Sequence, residues 1–311
     1  MFKYVLKRIG WGIVTLFLII SATFFLVAGA PGDPIASKVG QMPEKAQAII
    51  RAKYGLDKPT FVRYCIYMKN LITKGDFGES IIYTGQRAND IIAKNAPQTA
   101  KVAIIALIIQ VFLGVILGII AAINRQRIAD HVIRVCVVLL ICIPSFVFAA
   151  LLQYFVAYKW KLAPIWGWGE FKHMILPIIA FSIGGVASYC KYMRSSVLNV
   201  LNEDYVLTAR SKGCDKGQII RRHVLRNSLI PIVTMVVPAI AGIFGGSFII
   251  EGMFGIPGIG KYFVKSVSDM DYTMVIGLTA FFAMLYVVSL IMVDIVYGLV
   301  DPRIRITNKK R

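Results

Sequence analysis

Six long apolar runs, at residues 9–29, 100–123, 132–157, 174–190, 229–250 and 274–300, constrain this chain more than any other feature. A helix needs roughly 20 apolar residues, at ~1.5 Å each, to cross ~30 Å of hydrocarbon. Five of the runs meet that length; the fourth is shorter and holds Pro177, Gly184 and Gly185. Inside lipid every backbone N–H and C=O must find its partner within the segment, so such spans are helices rather than strands. A hydrophobic content of 57% and a mean hydropathy of +0.69 over 311 residues do not suit a soluble domain. The expected fold is an all-α integral membrane protein with six transmembrane helices.

The distribution of basic residues orients these spans. Lys3, Lys7 and Arg8 precede the first, Arg125, Arg127 and Arg134 flank the second connection, and Arg303, Arg305, Lys309, Lys310 and Arg311 end the chain. With six spans all of these fall on one side, together with a basic loop after the fourth span. The opposite short loops carry only Lys159, Lys161, Lys172, Lys261 and Lys265. The positive-inside rule therefore places both termini in the cytoplasm, and the long 31–99 segment, although basic, is exempt because long translocated segments escape the rule.

The expected layout is a tail and first span over 1–30, an extracytoplasmic helical segment over 31–99, a five-helix core over 100–301 and a basic tail over 302–311. Within 31–99, residues 44–53 and 60–73 have helical patterns, broken at Leu56-Asp57-Lys58-Pro59. The first span has the basic start of a signal peptide, but its apolar run is longer than usual, so it is expected to be retained.

Several functions lose support. The net charge of +19 could suggest nucleic acid, but the basic residues flank spans and no nucleic-acid module is visible. The five cysteines lie mostly in spans or in the cytoplasm, which disfavours disulfides and zinc sites. Gly255 to Lys261 falls one residue short of a phosphate-binding loop, and Tyr262 stands where magnesium would need Ser or Thr. Gln110, Gln153 and Asp294 are the main polar groups deep in the spans, too few for an ion-gradient carrier, and no inverted repeat is visible. Pro144 and Pro238 should kink the third and fifth spans. The pairs Gly114/Gly118 and Gly242/Gly246 permit close helix approach, either within the chain or against another subunit.

The basic loop, within 191–228, contains the stretch NEDYVLTARSKGCDKGQIIRRHVLRNSLIP. Asn202 is read as an N-cap, Glu203 and Asp204 suit a first turn, and Arg210 and Lys212 suit a last turn. Gly213 fits a left-handed helix end, and Asp215 with Gln218 resembles a capping box. Ile220, Val224 and Ser228 then repeat at helical spacing. A short helix over 202–212, ordered yet too polar for lipid, suggests a docking surface for a partner.

This loop resembles the EAA loop of ABC-importer permeases, in which Glu-Ala-Ala is followed three residues later by glycine. Leu207, Thr208 and Ala209 stand in the Glu-Ala-Ala places and Gly213 in the glycine's. The missing acid, and the late Pro231, resemble the dipeptide/oligopeptide/nickel permeases. So do APGDP (30–34), YGLDKP (54–59), GDFGES (75–80), PSF (144–146), FGIPGIG (254–260) and DPRIR (301–305). The first-position, OppB/DppB-type permease of that family is the best likeness.

The resemblance implies a prokaryotic inner-membrane permease subunit, not an enzyme, that forms half of a translocation pathway for oligopeptides or dipeptides. A permease for nickel chelates or another small solute, or an ion-gradient carrier, remains the alternative. The implied partners are a second homologous permease, two cytoplasmic ATPases and an extracytoplasmic solute-binding protein. ATP and magnesium would sit in the ATPases, and this chain would bind no cofactor or metal. Coupling would fall to Asp204, Tyr205, Thr208, Ala209, Arg210, Lys212 and Gly213. Gln153, Tyr154, Phe155 and Phe248 are candidates to line the pathway. Phe254, Gly255, Ile256 and Pro257 are candidates to meet the binding protein.

Overall fold

The computed structural model describes residues 2–31, 43–83, 85–245 and 248–300, which fall into two compact units. Gly246, most of the APGDP motif and the basic tail lie outside the described residues. The described structure is helical, with one isolated bridge between Glu79 and Arg87.

The first unit combines residues 1–99 with 244–248 and 257–291. It holds α1 (Phe2–Ala28), α2 (Glu44–Lys53), α3 (Thr60–Lys74) and the start of α4 (Ala88–Ile123). Later in the chain it gains a helix over Ile259–Ser268 and most of a helix over Tyr272–Val300. Helices α2 and α3 match the sequence pattern nearly to the residue, because Pro59 starts α3 and Gly75, at φ +62°, ends it in the left-handed conformation. Gly12 leaves room for Val287 and Ile291, so α1 lies against the Tyr272–Val300 helix. Phe24 and Phe25 meet Tyr64 at centroid distances of 5.5 and 5.1 Å, and the Tyr64 hydroxyl is 2.7 Å from Ser21 Oγ.

The GDFGES motif owes its composition to a clamp in this unit. Asp271 is fully buried and caps the Tyr272–Val300 helix by accepting the Met274 N–H at 3.2 Å. It also accepts the Ser80 hydroxyl and the backbone N–H groups of Ile81 and Ile82 at 3.1 and 3.4 Å. Asn89 holds the same turn from α4, receiving Phe77 N–H and donating to the Gly75 carbonyl. Gly78 sits at φ +106° against Thr273, where a Cβ would collide.

The second unit carries residues 100–243 and 249–256, with 292 onward. Helix α4 has 36 residues, about 54 Å at 1.5 Å per residue, so it begins twelve residues before the expected span and exceeds the hydrocarbon thickness. Helix α7 (Phe171–Leu201) has 31 residues and absorbs the weakest expected span together with the first part of the expected basic loop. Pro177 and the glycine pair are accommodated without a break.

The third expected span is not one straight helix. Helix α5 (Ile128–Cys142) and helix α6 (Ser145–Leu152), which continues as a π-helix over Gln153–Lys159, meet at 101°. Ile143 and Pro144 are extended between them, since proline drives its predecessor out of the helical region and donates no hydrogen bond. Among the described residues, five helices are long and apolar enough to cross a membrane, or six if the bent pair counts as one. Pro238, by contrast, stays inside the helix Ile230–Gly245.

The Gly114/Gly118 question is answered within the chain. A Cβ on Gly118 would stand 2.7 Å from both the Cys190 carbonyl oxygen and Met193 Cβ, and one on Gly114 would lie 3.0 Å from the Val186 carbonyl oxygen. Helix α4 thus lies directly on α7, whereas a Cβ on Gly242 meets nothing within 4 Å. Overpacking a close contact costs about 1–3 kcal/mol. Gly118→Leu should lower the apparent melting temperature of the detergent-purified chain by several degrees, while Gly242→Leu should leave it unchanged or raised. Equal effects at the two sites would contradict this packing.

Candidate functional site

Helix α7 ends at Asn202, whose N–H bonds the Asn199 carbonyl at 3.1 Å. Asn202 is thus the end of α7 and not an N-cap as expected, because α7 runs eleven residues beyond Cys190. Glu203, extended at ψ 145°, takes the N-cap position without a side-chain cap, and a short helix α8 (Asp204–Ser211) follows.

The end of α8 is a left-handed turn closed by two backbone bonds. Cys214 N–H donates to Ala209 O at 3.2 Å, and Gly213 N–H donates to Arg210 O at 3.0 Å. Gly213 is at φ +82°, a conformation that side chains with a Cβ resist. Asp215 Oδ1 then accepts the Gln218 N–H at 2.6 Å, the capping bond expected from the sequence.

The next segment contains π-helical turns over Ile219–Val224. Its buried positions are Ile219, Val224, Ser228 and Ile232. The first step is five residues because each π turn adds one to the helical spacing, and so Ile219, not Ile220, faces inward. Pro231 lies in the first turn of the helix Ile230–Gly245, where its missing N–H has no partner to lose.

Helix α8 has two distinct faces. Val206 and Ala209 are buried, and the helix packs on α7 and on the π-helical turns. Ala209, one of the candidate coupling residues, therefore supports α8 from beneath. Asp204, Tyr205, Leu207, Thr208, Arg210, Lys212 and Gly213 are exposed. Tyr205 is fixed by Asn227, whose Nδ2 donates to its hydroxyl at 2.8 Å. Among the described residues no ion pair reaches Arg210, Lys212, Arg221, Arg222 or Arg226. The outer face of α8 is exposed, with Arg210 and Lys212 at its end, Asp204 at its start and Leu207, 47% exposed, as an apolar side chain between them.

How α7 is held is not legible in the sequence. Asp130 on α5 is fully buried and receives Arg194 Nε at 2.7 Å and Arg194 Nη2 at 2.8 Å, a two-point bond. It also accepts the Gln126 N–H at 3.0 Å, and Arg134 approaches to 3.5 Å. Ser196 Oγ donates to the Ser228 carbonyl at 2.9 Å, tying α7 to the returning segment. The two members of the ion pair lie 64 residues apart, so only an alignment of sequences could have suggested them.

The other sequence candidates take different places. Gln153 donates to the Ile165 and Met253 carbonyls at 3.0 and 2.8 Å, which makes it an internal tie. Gln110 likewise donates to Phe181 O at 2.9 Å. Tyr154 and Phe155 are exposed and meet edge to face at 5.0 Å, and Phe248 is exposed in its own unit. Asp294 is half-buried and has a partner.

Phe254 and Ile256 are 2% and 1% exposed, which corrects their reading as surface contacts: they pack in a core with Leu176 and Ile178. Gly255, at φ +73°, lies under the Trp166 ring, and Pro257 is half-buried. The stretch from Gly255 to Lys261 follows a helix rather than a strand, which is not the setting of a phosphate-binding loop. Among the described residues no cluster of metal-ligating side chains occurs.

Residues 114–306 match the family described as "Binding-protein-dependent transport system inner membrane component", and residues 1–86 match its N-terminal counterpart. The chain is 38% identical over 306 residues to the dipeptide transport system permease protein DppB of Lactococcus lactis subsp. cremoris, covering 98% of this chain and 100% of that one. It is 39% identical over 307 residues to the oligopeptide transport system permease protein OppB of Haemophilus influenzae, with 98% and 100% coverage. Two solved structures share the fold. A chain of an amino acid ABC transporter crystallised with histidines has a TM-score of 0.53 at 15% identity, covering 69% of this chain and 94% of that one. A chain of the inward-facing MetNI methionine ABC transporter has a TM-score of 0.53 at 13% identity, covering 68% and 96%.

Removing one member of a buried ion pair costs about 3–5 kcal/mol, because its partner is left uncompensated. Asp130→Ala should therefore strongly lower the apparent melting temperature of the purified chain. The double variant Asp130→Leu with Arg194→Leu should recover part of the loss. A single variant as stable as the parent would remove the pair from the account of how α7 is held.

Proposed function

This chain belongs to the inner-membrane components of binding-protein-dependent transport, as a multi-pass ABC-importer permease of the dipeptide and oligopeptide type, and from that membership we propose that it forms half of the pathway for short peptides. A second homologous permease supplies the other half. An extracytoplasmic binding protein delivers the peptide, and two cytoplasmic ATPases bind ATP with magnesium and supply the energy. This chain itself binds no cofactor and catalyses no reaction.

The observation that carries the reading is the two-faced helix Asp204–Ser211. Its inner face is packed through Val206 and Ala209, while its outer face presents Tyr205, Leu207, Thr208, Arg210 and Lys212 to solvent, the two cations without ion pairs among the described residues. A helix anchored on one side and free on the other suits seating in a cleft of an ATPase. Movement of the ATPases on binding ATP would then act through this helix on α7, and the spans would alternate between inward and outward opening. Exposed cations give orientation and rate of encounter, and a central apolar side chain gives affinity.

The reading places both termini and α8 in the cytoplasm and residues 31–99 outside, following the distribution of lysine and arginine. Cys65 is exposed on α3 and Cys214 is half-exposed just beyond α8, so the native thiols report the orientation. In chains reduced to one of these cysteines, a membrane-impermeant maleimide should label Cys65 in right-side-out vesicles. It should label Cys214 in inverted vesicles only. The reverse pattern would overturn the orientation.

Coupling is tested in the reconstituted complex by peptide-stimulated ATP hydrolysis and uptake. Leu207→Glu places a charge at the apolar centre of the surface and should reduce both by roughly tenfold, a loss of ~1.4 kcal/mol in coupling. Gly213→Arg adds bulk beside the helix and strain of about 1 kcal/mol at a left-handed position. Gly213→Asn, a residue that tolerates this conformation, should retain activity within about twofold. Full uptake by the Leu207 and Gly213→Arg variants would refute the docking role.

A further inference from the structure

A cavity of about 320 Å³ in the first unit carries more positive charge than its own carboxylates neutralise. Arg63, Tyr67 and Asn70 line it from one face of α3, at helical spacing. Lys53, Lys58, Asp76 and Glu79 also line it, so three cations stand against two carboxylates. Both carboxylates are engaged: Glu79 Oε1 accepts Lys53 Nζ at 2.8 Å, and Asp76 Oδ1 accepts the Gly78 N–H at 2.9 Å. Among the described residues the side chains of Arg63 and Lys58 have no ion pair and no hydrogen bond.

Arg63 is not a freely solvated surface cation. It is half-buried, and this burial pushes its pKa below the usual arginine value. The Tyr67 hydroxyl is buried without a hydrogen-bond partner among the described residues, and burial, with the nearby Asp76 carboxylate, raises its pKa. Removing a cation from water is unfavourable unless a counter-charge replaces the lost hydration. The planar fork of a guanidinium matches carboxylate and phosphate oxygens, and charge-assisted bonds of that kind are strong. The volume falls at the lower end of small-ligand sites, enough for one small group.

We propose that this cavity is an oxyanion site, in which Arg63 binds a carboxylate or phosphate with Lys58 and Asn70 beside it. Two sources offer that chemistry. A free solute brings a carboxylate, and a membrane lipid brings a headgroup phosphate. A lipid is one of the two sources because Phe24, in the last turns of the apolar span Val5–Ala28, lines the same cavity. The site does not depend on the transport reading, and its test needs no transport.

The test uses the full chain in phosphatidylcholine nanodiscs and follows its apparent melting temperature at constant ionic strength. Chloride is replaced stepwise by phosphate or acetate, and in parallel discs part of the lipid is replaced by phosphatidylglycerol. A ligand that binds only the folded chain raises the melting temperature with concentration. Stabilisation by phosphate or acetate in neutral discs identifies a free oxyanion. Stabilisation by phosphatidylglycerol without added anion identifies a headgroup. In either case Arg63→Gln and Lys58→Gln should weaken the apparent affinity by about tenfold or more, and Arg63→Lys should weaken it less. If Arg63→Gln does not fold, Lys58→Gln decides. Failure of both anions and phosphatidylglycerol to stabilise the parent chain more than the variants would overturn the proposal.

Discussion

Helix α7 is useful as a mechanical element only if it is held along its whole length, and its contacts meet that requirement. About a third of the way along, Ser182 donates to the Ala106 carbonyl at 3.3 Å, and Gln110 donates to Phe181 O at 2.9 Å. Further along, the missing side chains of Gly114 and Gly118 let the α4 backbone close on Val186, Cys190 and Met193. Near its end Asp130 grips Arg194 and Ser196 bonds the Ser228 carbonyl. In lipid an apolar surface gives little drive for helices to associate, so close packing at small residues and internal polar ties must do it. The basic helix α8 is continuous with this braced rod, separated from it by only Asn202 and Glu203. On the proposed function, force applied at α8 would reach the spans through a stiff connection.

The first unit solves a separate problem. Polar turns between α3 and α4 have no regular ladder to satisfy their backbone groups, and Asp271 satisfies several of them at once. One carboxylate caps a long helix and receives the Ser80–Ile82 turn, which is why a single acid at the start of the Tyr272–Val300 helix is fully buried. Glu79 and Lys53 add an exposed pair, whose direct bond raises the lysine pKa. Such a pair contributes little by itself. The buried acid is the anchor, and the exposed pair trims the edge.

Much of this was legible residue by residue. Pro59 and Gly75 mark the ends of α3 because their backbone limits are local. Gly213 and Asp215 likewise mark the end of one helix and the start of the next, and their bonds span five residues or fewer. The misreadings came where local rules compete with packing. Asn202 is a fine N-cap in isolation, but α7 is stabilised by burial on one face and runs on until that residue ends it. The kink expected at Pro144 is present, and with Ile143 also extended the chain turns through 101°. Phe254 and Ile256 sit beside a glycine turn that looks like a surface loop, yet their side chains return to the core.

The sequence alone determined that this chain lives in a bilayer as helices, because long apolar runs fix backbone pairing within each segment. It also determined the two-helix pattern of the 44–74 region and the ordered, basic character of the loop before Pro231, since capping and charge act over a single turn. Only the tertiary structure decided that Gly114 and Gly118 serve an internal contact, that Asp130 meets Arg194, and which face of α8 stays open. Those outcomes join residues tens of positions apart, and which distant side chains share a buried site depends on how helices pack, a relation that no local spacing encodes.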